Sequence, residues 1–285
     1  MKFFLSFGRL FCRQDWVRFG IRYRVANFLI NTNPSCPFEV GFFGFHYKGL
    51  LHNHIDSQVY FYGGFEKSEL YLLRDVALKY KDPICLDIGA NIGHHSLFLS
   101  RYCKTVHSFE PYEKVRSSLV DKISYNHISN IIVHPLALGS TDQTLTYYPP
   151  ETDNEGTGSF VTHNRNSSDS LELQVVEGDT YLKEQKIDKI DLIKIDVEGF
   201  EKEVLLGLRE TLMKNRPTIM MEFSSDTKKT FENEKSIFEI LPPNYKIQAI
   251  IPYRSFLFFF NIPSYRLVDF NFDMKAGLNL VLTPQ

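Results

Sequence analysis

The run DLIKIDVEGFEKEVLLG, Asp191 to Gly207, crowds one cation and several carboxylates into a few residues. Strand alternation sets Lys194 and Asp196 on the same side of the backbone. Glu198, Gly199 and Glu201 follow, where the apolar run gives way to a helical pattern. Charges at the end of a buried strand are costly unless paired. Lys194 is therefore expected to meet an acid, Asp196 or Glu222, the latter near the end of the apolar run TIMMEF. Such a cluster suits proton removal from a weak acid, with an ammonium tuning the base or steadying developing negative charge. Asp196, Glu198 and Glu201 would alternatively suit Mg²⁺, and a plain ion-pair network without chemistry is the remaining reading.

A second constellation stands upstream in PICLDIGANIGHHSLFLSRY. Asp87 closes an apolar strand. Gly89 and Gly93 let the backbone turn tightly, with Ala90 and Asn91 between them, and Asn tolerates left-handed geometry. A pyrophosphate cradle would read G-x-G-x-x-G, but Asn91 and His94 occupy its second and third glycine positions. In VHSFEPY, Glu110 ends the next strand, where a carboxylate can accept both hydroxyls of a ribose; capping the helix that follows is the alternative. His94 and His95 open the first helix, as bases or as capping residues. His46, His52 and His54 fall in a glycine-dotted stretch, and a third metal ligand at suitable spacing is not evident.

The elements that must position these groups alternate. Strands are predicted at 84–88, 105–110, 131–137, 190–196, 217–223, 245–251 and 278–284, with helices at 94–102, 113–125, 199–213 and 231–240. Apolar strand centres between helices imply a parallel sheet covered on both faces. Residues 38–65 read as an antiparallel meander, and 66–80 as a helix. Domains are placed at 1–37, a basic aromatic helical segment; at 38–80, meander and helix; and at 81–285, an α/β core. An insertion at 144–178 holds two strand-like runs around a polar loop, as a lid would.

Composition bounds the rest. The chain has 285 residues, 43% hydrophobic and 23% charged, with a net charge of −2. That describes a globular protein without polyanion-binding character, so no nucleic-acid partner is implied. Cys12, Cys36, Cys85 and Cys103 form no C-x-x-C pair and read as free thiols of a reducing compartment. No apolar run is long enough to cross a bilayer, and Arg9 and Arg13 interrupt the start too early for an export signal. The expected location is cytoplasmic. Residues 1–30 carry Lys2, Arg9, Arg13, Arg18, Arg22 and Arg24 against Asp15, interleaved with aromatics. Such a segment either packs on the core or lies peripherally on an anionic membrane. The run SFLFFFNIP, 255–263, is a hairpin strand or a greasy loop touching lipid.

LDIGANIGHHSL, FEPYEKVRSSL, ALG, IKIDVEGFEKEVLLG and RPTIMMEFS, in this order, resemble the FkbM-type methyltransferase family over residues 60–225. The resemblance implies a class I methyltransferase (Rossmann-like) seven-stranded α/β sheet and S-adenosylmethionine as cofactor. It implies O-methylation of a small-molecule or glycan hydroxyl. It would give Asp87, Gly89, Ala90, Asn91, Gly93 and Glu110 to the cofactor. Ala137, Leu138 and Asp142 would then lie near adenine. Asp196 becomes the leading base, supported by Lys194, Glu198, Glu201 and Glu222, while Glu66 and His94 border the acceptor pocket. No metal is predicted. A dinucleotide-dependent oxidoreductase and a non-catalytic binding module are the rival readings.

Overall fold

The computed structural model describes residues 2–149, 158, 160, 170–257 and 260–285, with backbone alone at 2, 253–257 and 260–263. The polar loop of the insertion and the side chains of the phenylalanine run therefore lie outside the described residues. Two helices open the chain, α1 (Lys2–Cys12) and α2 (Phe19–Thr32). Next come β1 (Pro37–Phe42), β2 (Phe45–Leu50), α3 (His54–Tyr62) and α4 (Lys67–Ala77). The α/β core follows as β3 (Ile84–Ile88), α5 (His94–Leu99), β4 (Thr105–Phe109), α6 (Glu113–Tyr125) and β5 (Ile131–His134). A small subsheet is made by β6 (Ala137–Gly139), β7 (Gln143–Tyr147) and β8 (Leu171–Glu177), and α7 (Gly178–Glu184) succeeds it. The chain ends with β9 (Leu192–Ile195), α8 (Glu201–Gly207), α9 (Arg209–Asn215), β10 (Thr218–Phe223), α10 (Ser225–Thr230), α11 (Glu234–Phe238), β11 (Tyr245–Leu257), β12 (Phe260–Asp269) and β13 (Leu278–Pro284).

The main sheet has the order β12-β11-β13-β10-β9-β3-β4-β5. β5, β4, β3, β9 and β10 run parallel, and β13 and β11 are antiparallel to their neighbours. This is the expected class I methyltransferase sheet with one strand more: eight, not seven. The extra strand arises because β11 and β12 form one long hairpin, paired from Gln248↔Asp269 to Leu257↔Phe260. Strand residues such as Leu86, Val106 and Ile193 are fully buried, as a sheet covered on both faces requires. One core gathers Leu97, Val106 and Leu119 with Leu5, Ala26 and Leu29 of the first two helices. The other gathers Leu86, Ile193 and Leu205 on the opposite face.

Three expectations change. Residues 38–65 make one hairpin and a helix, not a meander: Asn53 caps α3 by accepting from the Asp56 amide, and Gly63 ends it in left-handed geometry. His54 is thus a helix residue, and strand alternation with His52 does not apply. The strand expected over 131–137 breaks at Pro135, which has no N–H for the ladder. Ala137 then joins the subsheet, pairing with Val175. The helix expected over 199–213 is two pieces, α8 and α9, the one expected over 231–240 shortens to α11, and α10 precedes it unpredicted.

Candidate active site

Most of the candidate residues converge at the carboxyl ends of β3, β4, β9 and β10, where open parallel sheets place their ligands. The glycine turn after β3 is locked to the end of β9. Gly89 has φ +80, and a Cβ there would lie 1.9 Å from the Asp196 carbonyl oxygen. Lys194 Nζ donates to the Gly89 carbonyl at 3.1 Å. A close approach of two backbones, as much as a ligand, therefore demands this glycine. Every amide of the turn is already used. Gly89 and Ala90 donate to Phe109 O, and Gly93 donates to Ala90 O. Asn91 N donates to Glu110 Oε2 at 2.8 Å, and Ile92 N to Asn91 Oδ1 at 2.7 Å. No amide from 89 to 93 is left to hold a phosphate, so the arrangement speaks against a dinucleotide cradle.

Two clefts of about 590 and 720 Å³ meet at this turn. They share four lining residues: Gly89, Asn91, Asp196 and Glu198. The first cleft has Ile88, Glu110, Ala137 and Leu138 in its wall and is edged by an aromatic row. Tyr147 lies 5.4 Å from Phe160, and Phe160 5.4 Å from Phe200, between ring centroids. Glu110 Oε1 accepts from Tyr112 N at 2.9 Å. Each of its oxygens thus binds one amide and keeps a lone pair for a ligand. Burial raises its carboxyl to about 7, against the pull of those two amides.

The second cleft is titratable. Lys194 is buried between Asp87 Oδ1 at 3.5 Å and Asp196 Oδ2 at 3.3 Å. Burial alone would lower its pKa; Asp196, Asp87 and Glu66 outweigh it and hold the ammonium above its ordinary value. The side chain of Asp196 is 33% exposed and faces both clefts. Burial, then the nearby acids led by Asp196, raises Glu66 to about 8 and Glu222 to about 10. Both therefore hold protons at neutral pH and can donate. Glu66 accepts from Asn279 Nδ2 at 3.3 Å and lies 3.6 Å from His95 Nε2. His94 is neutral, its ring nitrogen 2.9 Å from Phe65 O, and burial lowers it to about 3.

A sequence profile for the methyltransferase FkbM domain matches residues 87–253. The chain belongs to the FkbM methyltransferase family. It is 25% identical over 212 residues to methyltransferase 1 of Beauveria bassiana, covering 64% of this chain and 85% of that one. It is 27% identical over 132 residues to the hexuronic acid methyltransferase AglP of Haloferax volcanii, covering 46% of this chain and only 52% of that one. With the 2-O-methyltransferase NoeI of Sinorhizobium fredii it shares 24% identity over 193 residues, 61% of this chain and 77% of that one. The protein is a methyltransferase.

Within this FkbM methyltransferase, Gly89, Asn91, Glu110, Ala137, Leu138, Lys194, Asp196, Glu198, Glu222, Glu66 and His94 all line one cleft or the other. Asp87 stands directly behind, bound by Lys194 and Ser96. Ala90 lines the second cleft, while Gly93 packs on Leu119. Two residues are not brought in. Asp142 lines neither cleft and accepts from Glu177 N at 2.7 Å, bracing the subsheet. Glu201 is fully buried and accepts from Val197 N, Gly199 N and Thr227 Oγ1. It braces the turn that presents Asp196 and Glu198 and lines neither cleft. Sequence reasoning missed the aromatic row and Asn279. Phe200 stands inside the EGFE motif, so its place beside Glu198 was the available signal.

Proposed function

We propose that the protein transfers a methyl group from S-adenosylmethionine to a neutral carbohydrate hydroxyl. The observation that carries this reading is the junction of two unlike clefts at Gly89, Asn91, Asp196 and Glu198. The first fits the cofactor. Glu110 would take the ribose hydroxyls, the wall at Ala137 and Leu138 would meet the base, and Phe160 and Phe200 would cover it. The surrounding acids favour a cationic donor, and the satisfied turn amides suit no diphosphate. When bound, S-adenosylmethionine supplies the methyl group. No residue of this cleft is asked to react.

The chain's own work lies in the second cleft. Asp196, held in place by the Lys194 ammonium, takes the proton from the acceptor hydroxyl. General base help of this kind is worth about 10²–10⁴ in rate. Protonated Glu66 and Glu222 donate hydrogen bonds to other oxygens of the acceptor. Positioning the two reactants at the junction supplies most of the remaining acceleration, up to about 7–11 kcal/mol. Even with Glu66 and Glu222 neutral, Asp196 and Glu198 outnumber Lys194 on the acceptor side, which disfavours a carboxylate acceptor of the hexuronic type. The 2-O-methylation carried in one relative's name supports a hydroxyl.

Calorimetry with S-adenosylhomocysteine and with NAD tests the cofactor assignment: tight binding of the first and none of the second is expected. Binding of NAD alone would sink it. Mass spectrometry of neutral and uronic oligosaccharides incubated with enzyme and cofactor tests the acceptor. A gain of one CH₂ is expected on the neutral set only, and methyl esters on the uronic set would refute that assignment.

A further inference from the structure

Helix α1 carries two apolar faces. Leu5, Gly8 and Cys12 recur at i, i+3 and i+7 and point into the core. The docking is tight, since a Cβ on Gly8 would fall 2.1 Å from Leu29 Cδ1 of α2. Phe3, Phe7 and Leu10 recur at i, i+4 and i+7 on the opposite side. They are 78%, 64% and 61% exposed, and Phe4 beside them is 70% exposed. Trp16, Phe19, Ile21, Tyr23 and Phe28 are exposed as well. Globular surfaces seldom leave so many large apolar side chains together without a partner.

Charge decides which partner. Residues 1–33 hold six basic side chains and one acid, Asp15, while the whole chain is at −2. That acid is consumed internally, bound 2.8 Å from buried Arg22. Arg18 and Arg24 are exposed among the apolar groups, and no ion pair is formed by either among the described residues. A second copy would bring a like-charged face against this one. An anionic bilayer matches both properties, taking aromatic rings into the interface and arginines at its phosphates. No helix among the described residues is long and apolar enough to cross a membrane, so the geometry is one of lying on the surface.

We infer that α1 and the start of α2 dock the enzyme on an anionic lipid surface. A groove lined by Phe19, Arg22 and Tyr62 at the start of α2 shares Glu66 with the acid-rich cleft. The inference stands on the surface alone and does not depend on the acceptor chosen above.

Vesicle flotation with the full chain tests it. Vesicles of phosphatidylcholine with phosphatidylglycerol should carry the protein up, and phosphatidylcholine alone at least about tenfold less. Raising salt should release the bound protein. The triple variant F3S/F7S/L10S should lose flotation about tenfold or more while keeping its melting temperature, because these side chains touch no core. The pair R18E/R24E provides a second reading and should weaken binding several-fold. Absence of flotation on anionic vesicles would overturn the inference, as would unchanged flotation of both variants. A wild-type dimer that F3S/F7S/L10S converts to monomer, with no lipid binding, would instead assign the face to a second copy and equally overturn it.

Discussion

The cleft beside Glu110 and the cleft beside Glu222 share a wall but handle their polar groups in opposite ways. Around Glu110, the carboxylate is met by two backbone amides and the turn amides are paired with one another. Aromatic rings complete the enclosure. Around Glu222, carboxyls crowd together with too few donors, and a buried oxygen of Glu222 has no hydrogen-bond partner among the described residues. The first cleft is a finished surface on which a ligand can be laid. The second keeps its compensation unfinished until a ligand supplies hydroxyls. Burial also raises Glu110, but the carboxyls raised furthest, Glu66 and Glu222, both stand in the second cleft, a pattern that fits proton transfer there.

Breaking that division at Asp196 should have the largest effect. Asp196→Asn keeps the shape and the contact to Lys194 but removes the base. Turnover should fall about 10²–10⁴-fold, while affinity for S-adenosylhomocysteine stays within about twofold. Single-turnover kinetics beside calorimetry checks both halves. Equal losses in binding and turnover would mean that the two clefts do not divide the labour. Glu110→Gln sharpens the other half. One oxygen must be given up, leaving a turn amide and a ribose hydroxyl poorly met. Cofactor affinity should drop about 10–100-fold, as expected for charged hydrogen bonds of about 1.5–3 kcal/mol. A variant that binds as wild type would remove Glu110 from the cofactor site.

Much of this division was legible in the residues themselves. Strand-end acids and a glycine turn state their positions through alternation and backbone geometry, so Asp87, Gly89, Glu110, Lys194 and Asp196 could be placed on one rim. What was not legible depended on direction and pairing. Glu201 sits one helical step beyond Glu198 and looks equally catalytic, yet three donors from residues 197, 199 and 227 turn it inward. Asp142 looked like an adenine contact because it follows ALG, but the subsheet claims its oxygen. The stretch 38–65 misled because buried residues fill most of α3, hiding its helical period, while the cap at Asn53 is a single polar residue. The extra strand, β12, needed the length of a hairpin that alternation alone does not specify.

A stability measurement separates the clefts by pH. Glu222 keeps its proton in the folded protein up to about pH 10, chiefly through burial and then through Asp196 and other acids. In the unfolded chain an ordinary glutamate releases it near pH 4.5. Between these values the folded state binds the extra proton, so stability falls as pH rises and is fully present only on the acid side. One such proton can contribute at most about 1.4 kcal/mol per pH unit. Glu222→Gln removes the titration while retaining a donor, and its stability should decline less steeply from pH 6 to pH 9. Urea melts of the two proteins across that range measure the difference. Parallel pH profiles would mean that Glu222 is ionised in the folded enzyme. The acid-rich cleft would then offer the acceptor one donor fewer, and its contrast with the settled carboxylate of Glu110 would weaken.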